Sequence, residues 1–124
     1  MTQYNESAQS ALILTVDANR RNLEVLAQVL HQAGYRALPA STIAAFDQAL
    51  EEPISLALVD VSGFGSNIWQ CCERLRERAV PLLVIAARNS AALQQASVAH
   101  GARSVLIKPL VVRELLGLIR SLLQ

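Results

Sequence analysis

Short apolar runs alternate with longer segments of helical period along the chain. The apolar runs lie at residues 11–16, 36–39, 55–59, 81–86 and 104–107, and several are unbroken stretches of Leu, Val, Ile and Ala. Such continuous runs are typical of parallel strands that are covered on both faces. Five strand–helix pairs with short connections predict an α/β fold: a doubly wound, five-stranded parallel sheet with helices on both faces.

The segments between the runs place apolar residues on one helical face. They cover residues 20–33, a stretch that begins at Ser41-Thr42, residues 67–78, a stretch between Ser90 and Gly101, and residues 111–123. Serine and threonine are favoured N-cap residues, and glycine is favoured directly after a helix end. The pattern therefore predicts five helices, one after each strand.

Composition places the chain among single globular domains. Of its 124 residues, 52% are apolar and 17% are charged, so a packed core is expected and disorder is not. The polar residues 1–10 have neither the basic start nor the apolar stretch of a secretory signal. We interpret them as a flexible leader that precedes a domain of residues 11–124.

Net charge and cysteine content limit the classes of partner and the cellular location that we expect. A net charge of +1 favours neither nucleic acid nor an anionic membrane as a partner. No apolar run approaches the roughly 18–20 residues that span a bilayer. The two cysteines, Cys71 and Cys72, are adjacent, so we interpret them as small buried hydrophobes in a reducing cytosol and expect a cytoplasmic location.

Charged side chains stand at the ends of three strand candidates. Asp17 and Asp60 follow the first and third, and Lys108, the only lysine among eleven basic residues, follows the fifth. Since the carboxyl ends of parallel strands meet at one edge of an open sheet, we expect two carboxylates and one ammonium there. From spacing alone, the group is either an ion-pair cluster or a functional site.

The order and spacing of these segments resemble response-regulator receiver domains. The resemblance is carried by ILTVD at residues 13–17, LALVD at residues 56–60 and GARSVLIKP at residues 101–109, and it covers residues 11–123. It implies a flavodoxin-like, CheY-like (βα)5 fold. It also implies a role in two-component phosphorelay signalling, for a protein that is not itself an enzyme.

The resemblance assigns roles to individual residues. Asp60 matches the aspartate that accepts a phosphoryl group from a histidine kinase, and Lys108 matches the lysine that neutralises the phosphoryl charge. Asp17, Asp60 and the backbone carbonyl of Ser62 would hold Mg²⁺ in any metal-bound form. The cis peptide bond that often follows the family's lysine would be Lys108–Pro109.

Three positions of the implied switch depart from the family pattern. Ala18 stands where the second acid is expected, Ala86 where a hydroxyl residue is expected, and Val105 where an aromatic ring is expected. Ala18 should weaken Mg²⁺ binding, and Ala86 cannot hydrogen-bond a phosphoryl oxygen. We therefore expect a pseudo-receiver that requires no cofactor, binds Mg²⁺ weakly if at all, and signals by protein–protein interaction. In such a pseudo-receiver, the Lys108 ammonium would form a permanent ion pair with the Asp60 carboxylate.

The last predicted helix is the best candidate for a partner surface. Its apolar arc, which includes Val112, Leu116 and Leu123, is wider than one buried stripe and would bind a histidine kinase, a downstream effector or a second copy. Two other interpretations stay open. One is a receiver that is phosphorylated at Asp60, and the other is a flavodoxin-like binder of a nucleotide or another anion, although no glycine-rich phosphate loop follows the first strand.

Overall fold

The structure, a computed structural model, describes residues 10–124. Residues 1–9, which make up nearly all of the predicted leader, lie outside the described residues. The strands are β1 (Leu12–Val16), β2 (Arg36–Ala40), β3 (Leu56–Asp60), β4 (Leu82–Ala86) and β5 (Ala102–Ile107). The helices are α1 (Arg20–Gln32), α2 (Ile43–Ala49), α3 (Asn67–Glu77), α4 (Ala91–Ala99) and α5 (Val112–Leu123).

Within residues 10–124 the five strands form one parallel sheet in the order β2-β1-β3-β4-β5. The predicted fold class is confirmed, and helices follow every strand as expected. The largest boundary difference is at β5, which begins at Ala102 and not at Ser104, because the ladder with β4 continues past a register shift near Leu82 and Leu83. The order of the strands places the topological switch point between β1 and β3. The chain adds β2 on one side of β1, and it then adds β3, β4 and β5 on the other side.

The two faces of the sheet have separate hydrophobic cores. On one face α2 and α3 bury Phe46, Ile68 and Leu75 against β1, β3 and β4. On the other face α1 and α5 bury large side chains that include Leu30 and Ile119. Alternate strand residues face opposite cores, which explains why β1, β3 and β4 are buried along their whole length.

The adjacent cysteines belong to the core under α3. Cys71 and Cys72 are both buried and free, as the sequence suggested. Burial raises the pKa of the Cys71 thiol, and it raises the pKa of the Cys72 thiol to about 12. Both side chains are therefore packed as neutral thiols and act as hydrophobes.

No helix within residues 10–124 has both the length and the apolar content needed to cross a membrane.

A charged cluster at the strand ends

Three charged residues meet at the carboxyl edge of the sheet. Asp60 is the last residue of β3, Asp17 directly follows the neighbouring β1, and Lys108 directly follows β5. β4 lies between β3 and β5, and its last residue is the small Ala86. The Lys108 side chain therefore extends across the end of β4 to Asp60. The Lys108 backbone N–H donates to the Ala86 carbonyl (2.9 Å), which fixes the start of the loop after β5. The fold therefore brings the predicted carboxylates and ammonium together.

The Asp60 carboxylate is buried and has two different partners. Its side chain is only 2% exposed. Oδ1 accepts a hydrogen bond from the Ser62 backbone N–H (2.8 Å). Oδ2 forms an ion pair with Lys108 Nζ and has no hydrogen-bond partner otherwise among the described residues. A buried carboxylate is tolerated only when it is paired in this way, so the ion pair satisfies Asp60.

Asp17 is nearly as buried, at 9% exposed, but its partners are uncharged. Oδ1 accepts the Asn19 backbone N–H (2.8 Å), and Oδ2 accepts the Asn22 side-chain amide (3.2 Å). Burial is the main cause that raises the pKa of Asp17 above its ordinary value, and the nearby Asp60 charge raises it further. The two hydrogen bonds and the more distant Lys108 charge act in the opposite direction.

The positions that depart from the family pattern surround this cluster. Ala18 is exposed, and its Cβ lies next to the loop after β3, where a Cβ added to Gly63 would be 3.2 Å away. Ala86 is buried at the end of β4. Val105 is half-buried and packs against the core under α2 and α3. Small aliphatic side chains, two methyl groups and one isopropyl group, therefore occupy all three positions.

One further expectation and one nearby aromatic contact complete the description of this edge. The Lys108–Pro109 peptide bond is cis, as the resemblance implied. Trp69, on α3 beside the Asp60 loop, is half-buried and stacks on the ring of His100 with 5.3 Å between the ring centroids. Packing within the domain therefore accounts for the position of this aromatic side chain.

The carboxylates at this edge do not fit a dedicated Mg²⁺ site. Within residues 10–124 no group of three or more His, Cys, Asp or Glu side chains could hold a metal ion. Of the predicted side-chain ligands, Asp17 and Asp60 have a protein partner on each of their four oxygens. Mg²⁺ requires oxygen ligands in near-octahedral geometry, and these two carboxylates supply only part of such a set.

Comparison with known proteins places the chain among signalling proteins. No family model matches it. Over 123 residues it is 33% identical to the transcriptional regulatory protein GltR of Pseudomonas aeruginosa, a match that covers 95% of this chain and 51% of GltR. Over 114 residues it is 30% identical to the transcriptional regulatory protein HprR of Escherichia coli, which covers 90% of this chain and 51% of HprR. The chain spans about half the length of these curated relatives.

Solved structures share the fold along nearly the whole chain. A CheY-like response regulator receiver domain protein from Methanospirillum hungatei superposes with a TM-score of 0.83 at 25% identity, and the match covers 92% of this chain and 94% of that one. The chain is a response-regulator receiver domain. The chemotaxis protein CheY4 of Vibrio cholerae superposes with a TM-score of 0.81 at 22% identity, over 91% of this receiver and 98% of CheY4, and it supports the fold alone.

The sequence pattern of this receiver did not point to Asn19 and Asn22 as members of the cluster. The Asn19 side chain accepts the backbone N–H groups of Arg21 and Asn22 (2.9 and 3.1 Å) and so caps α1, while its own N–H holds Asp17. An asparagine directly before a segment of helical period is a recognisable N-cap signal. The contact of Asn22 with Asp17 depends on the position of the first helical turn, and no sequence signal marks it.

The Asp60–Lys108 ion pair should contribute to stability. We expect Lys108→Met to lower the free energy of unfolding by about 2 kcal/mol, less than the 3–5 kcal/mol typical of a fully buried pair because the Lys108 side chain is 33% exposed. Asp60→Asn combined with Lys108→Met should recover most of that loss, since no buried charge is then unpaired. Urea unfolding of the single and the double variant measures both free energies, and Arg113→Met serves as a control at an exposed position. Additive losses in the double variant would contradict the pairing.

The burial of Asp17 predicts a pH-dependent effect of Asp17→Asn. Because the folded-state pKa of Asp17 is raised, the contribution of Asp17 to the stability of the wild-type fold falls as the pH rises from below the ordinary aspartate value of 3.8 through the raised pKa. Asparagine does not titrate, so the stability of Asp17→Asn relative to wild type should increase across that window and stay level above it. Unfolding free energies measured from pH 3 to 7 test this. A difference that falls with rising pH would show that the carboxylate is favoured in its charged form.

Proposed function

We propose that this receiver acts in the cytoplasm as an interaction module of a two-component system, with weak or absent Mg²⁺-dependent phosphorylation. Residues 11–124 would form the functional domain, and Asp60 would be its phosphoacceptor position. The observation that carries the proposal is the Asp60–Lys108 ion pair in a cluster where Ala18 and Ala86 supply neither a metal ligand nor a hydroxyl group. The ion pair holds this edge of the sheet in one conformation, which a partner can recognise when Asp60 carries no phosphoryl group.

Electrostatics oppose phosphoryl transfer to Asp60 in this cluster. The attacking carboxylate, the nearby Asp17 and the phosphoryl oxygens are all anionic, while Lys108 is the one ammonium at this edge among the described residues. Catalysis of such transfer depends on positive charge that is placed in advance around the phosphoryl group. Ala86 also forfeits a hydrogen bond to a charged acceptor, which is worth about 1.5–3 kcal/mol. Slow acceptance of a phosphoryl group follows.

A phosphorylation-competent receiver is the second candidate. The specific observation in its favour is that a carboxylate and an ammonium lie together at the end of β3, the pair that phosphoryl acceptance from a histidine kinase needs. A nucleotide or anion binder is less favoured, because two buried carboxylates lie at this edge and no glycine-rich phosphate loop follows β1. Thermal shifts with flavin, nucleotides and phosphate would expose an anion binder through a saturable rise in melting temperature.

Phosphorylation can be tested by intact mass. We expect incubation with acetyl phosphate and Mg²⁺ to leave less than about a tenth of the protein with one added phosphoryl group, because the cluster lacks a metal ligand at Ala18 and a donor at Ala86. The matched control is Asp60→Asn, which removes the acceptor. Rapid, stable addition of one phosphoryl group that is lost in Asp60→Asn would overturn the proposal and establish the competent receiver.

The partner surface that we propose is on α5. Leu116 and Leu123 are half-buried against the core, whereas Val112 is 47% exposed. The neighbouring Val111 is also exposed. The part of the predicted arc that is free to contact a kinase, an effector or a second copy is therefore the beginning of α5. Large exposed apolar side chains that lie together are a common mark of an interface.

A homodimer through α5 can be tested by sedimentation at increasing concentration. We expect Val112→Glu to weaken self-association at least tenfold, because it places a charge in the apolar contact without disturbing the core. Val25→Glu is the matched control, since Val25 is 56% exposed on α1. A monomer at all concentrations, or an equal effect of both variants, would exclude the α5 dimer.

A further inference from the structure

A hollow of about 370 Å³ lies between α1 and α2 at the outer edge of the sheet, beside the edge strand β2. Leu23 and Ala27 of α1, Pro39 of β2 and Ala45 of α2 line this α1–α2 hollow. The two alanines face a space that larger side chains would fill. Pockets that bind ligands are mainly apolar and begin at about 300 Å³, so the α1–α2 hollow can accept a large apolar group of a partner.

The edge strand itself opposes the addition of another strand at this place. The Arg36 N–H donates to the Ala11 carbonyl (3.0 Å), so Arg36 and every second residue after it direct their backbone groups toward β1. Pro39 therefore lies at an outward-facing position of β2, and it is exposed. Proline has no N–H to donate to an added strand. The α1–α2 hollow thus fits a side chain of a partner better than an extended backbone.

Two arginines at the start of α1 are free to contact such a partner. Arg20 lines the hollow and Arg21 follows it, and the side chains of both are exposed and unpaired among residues 10–124. The α3 arginines Arg74, Arg76 and Arg78, in contrast, all have a partner within the domain. A positive charge in the first turn of a helix is unfavourable with the helix dipole. Stability of the fold therefore does not explain the two arginines of α1.

The charges around the hollow narrow the class of partner. Glu24 lines the hollow together with Arg20. A second hollow of about 250 Å³ shares Pro39 and Ala45 with the first, and Glu52 lines it. A nucleic acid backbone or an anionic membrane would meet these carboxylates as well as the arginine. A polypeptide can place a short acidic stretch over Arg20 alone, so charge complementarity favours an acidic polypeptide segment.

We propose that the α1–α2 hollow is a docking site for a partner polypeptide, which inserts one large apolar side chain and places acidic residues over Arg20. The site is separate from the α5 surface, and it adjoins the charged cluster. Asn19, whose N–H donates to Asp17 (2.8 Å), directly precedes Arg20 in the chain. A bound partner therefore contacts the first turn of α1 next to the strand ends, and its binding does not depend on phosphorylation of Asp60.

The probe that tests this inference is a fluorescein-labelled peptide, Gly-Glu-Glu-Leu-Glu-Glu-Gly, whose binding to the whole chain is followed by fluorescence anisotropy. One matched peptide replaces the leucine with alanine, and the other replaces the glutamates with glutamine. We expect wild type to bind the alanine peptide about tenfold more weakly, because the apolar anchor is lost. The glutamine peptide should bind about threefold more weakly, since exposed ion pairs contribute less.

Substitutions in the chain assign each preference to one part of the site. Ala27→Leu fills the hollow and should abolish the preference for leucine over alanine. Arg20→Gln should abolish the preference for glutamate over glutamine. Arg103→Gln, the same change at another exposed and unpaired position, should leave both preferences intact. If Ala27→Leu does not fold, as judged by circular dichroism, Ala45→Leu fills the same hollow from α2.

Urea unfolding shows whether Arg20 has a structural role instead. The midpoint of Arg20→Gln should equal or exceed that of wild type, because the substitution removes a positive charge from the first turn of α1. A lower midpoint would overturn the inference. So would a leucine peptide that does not saturate, preferences that Ala27→Leu and Arg20→Gln leave unchanged, or equal losses in Arg103→Gln. Tighter binding of an oligothymidylate of equal charge, weakened by Arg20→Gln, would replace the polypeptide partner with nucleic acid and overturn it as well.

Discussion

The ion pair between Asp60 and Lys108 is the interaction on which the rest of the strand-end cluster depends. Two buried carboxylates and one ammonium lie at this edge of the sheet, and Lys108 pairs with Asp60. Asp17 must then be satisfied by N–H donors from Asn19 and Asn22. Asp17 has no ion-pair partner among residues 10–124, because the ammonium of Lys108 is engaged by Asp60 and no other basic side chain pairs with Asp17.

The packing of the domain is largely separate from this cluster. The two hydrophobic cores lie on the faces of the sheet and consist of aliphatic side chains with Phe46 and the two cysteines. Ala86 and Val105 contribute to burial as ordinary small and branched residues. Replacing a hydroxyl or an aromatic ring by such residues changes the chemistry of the edge and leaves the packing of the domain intact. The receiver architecture therefore does not require a hydroxyl group or an aromatic ring at these two positions.

The position of each charged residue also explains why the cluster tolerates burial. Asp60 ends β3 and the Ser62 N–H turns back to one of its oxygens, so the loop itself supplies a donor. Lys108 is anchored through its backbone N–H to Ala86, and its long side chain reaches the other oxygen. Backbone N–H groups thus contact two of the four carboxylate oxygens, and side chains contact the other two.

Much of the fold and part of the cluster could be predicted from the sequence. Unbroken apolar runs such as residues 81–86 indicated parallel strands because buried strands need apolar residues on both faces. Asp17, Asp60 and Lys108 could be grouped because the carboxyl ends of parallel strands share an edge. Ala18, Ala86 and Val105 could be identified as departures because the resemblance fixed their positions.

The resemblance indicated the pairing of Lys108 with Asp60, but only the tertiary structure decided the partners of Asp17. The contact of the Asn22 amide with Asp17 depends on where the first turn of α1 lies relative to the end of β1. The exposed part of the α5 arc was likewise decided by packing, since Leu116 and Leu123 contact the core and Val112 does not. The sequence contains the periodicity and spacing of its apolar residues, and these determine where the helices and strands form. Hydrogen bonds and burial depend on the angles and separations between elements, which the pattern does not contain.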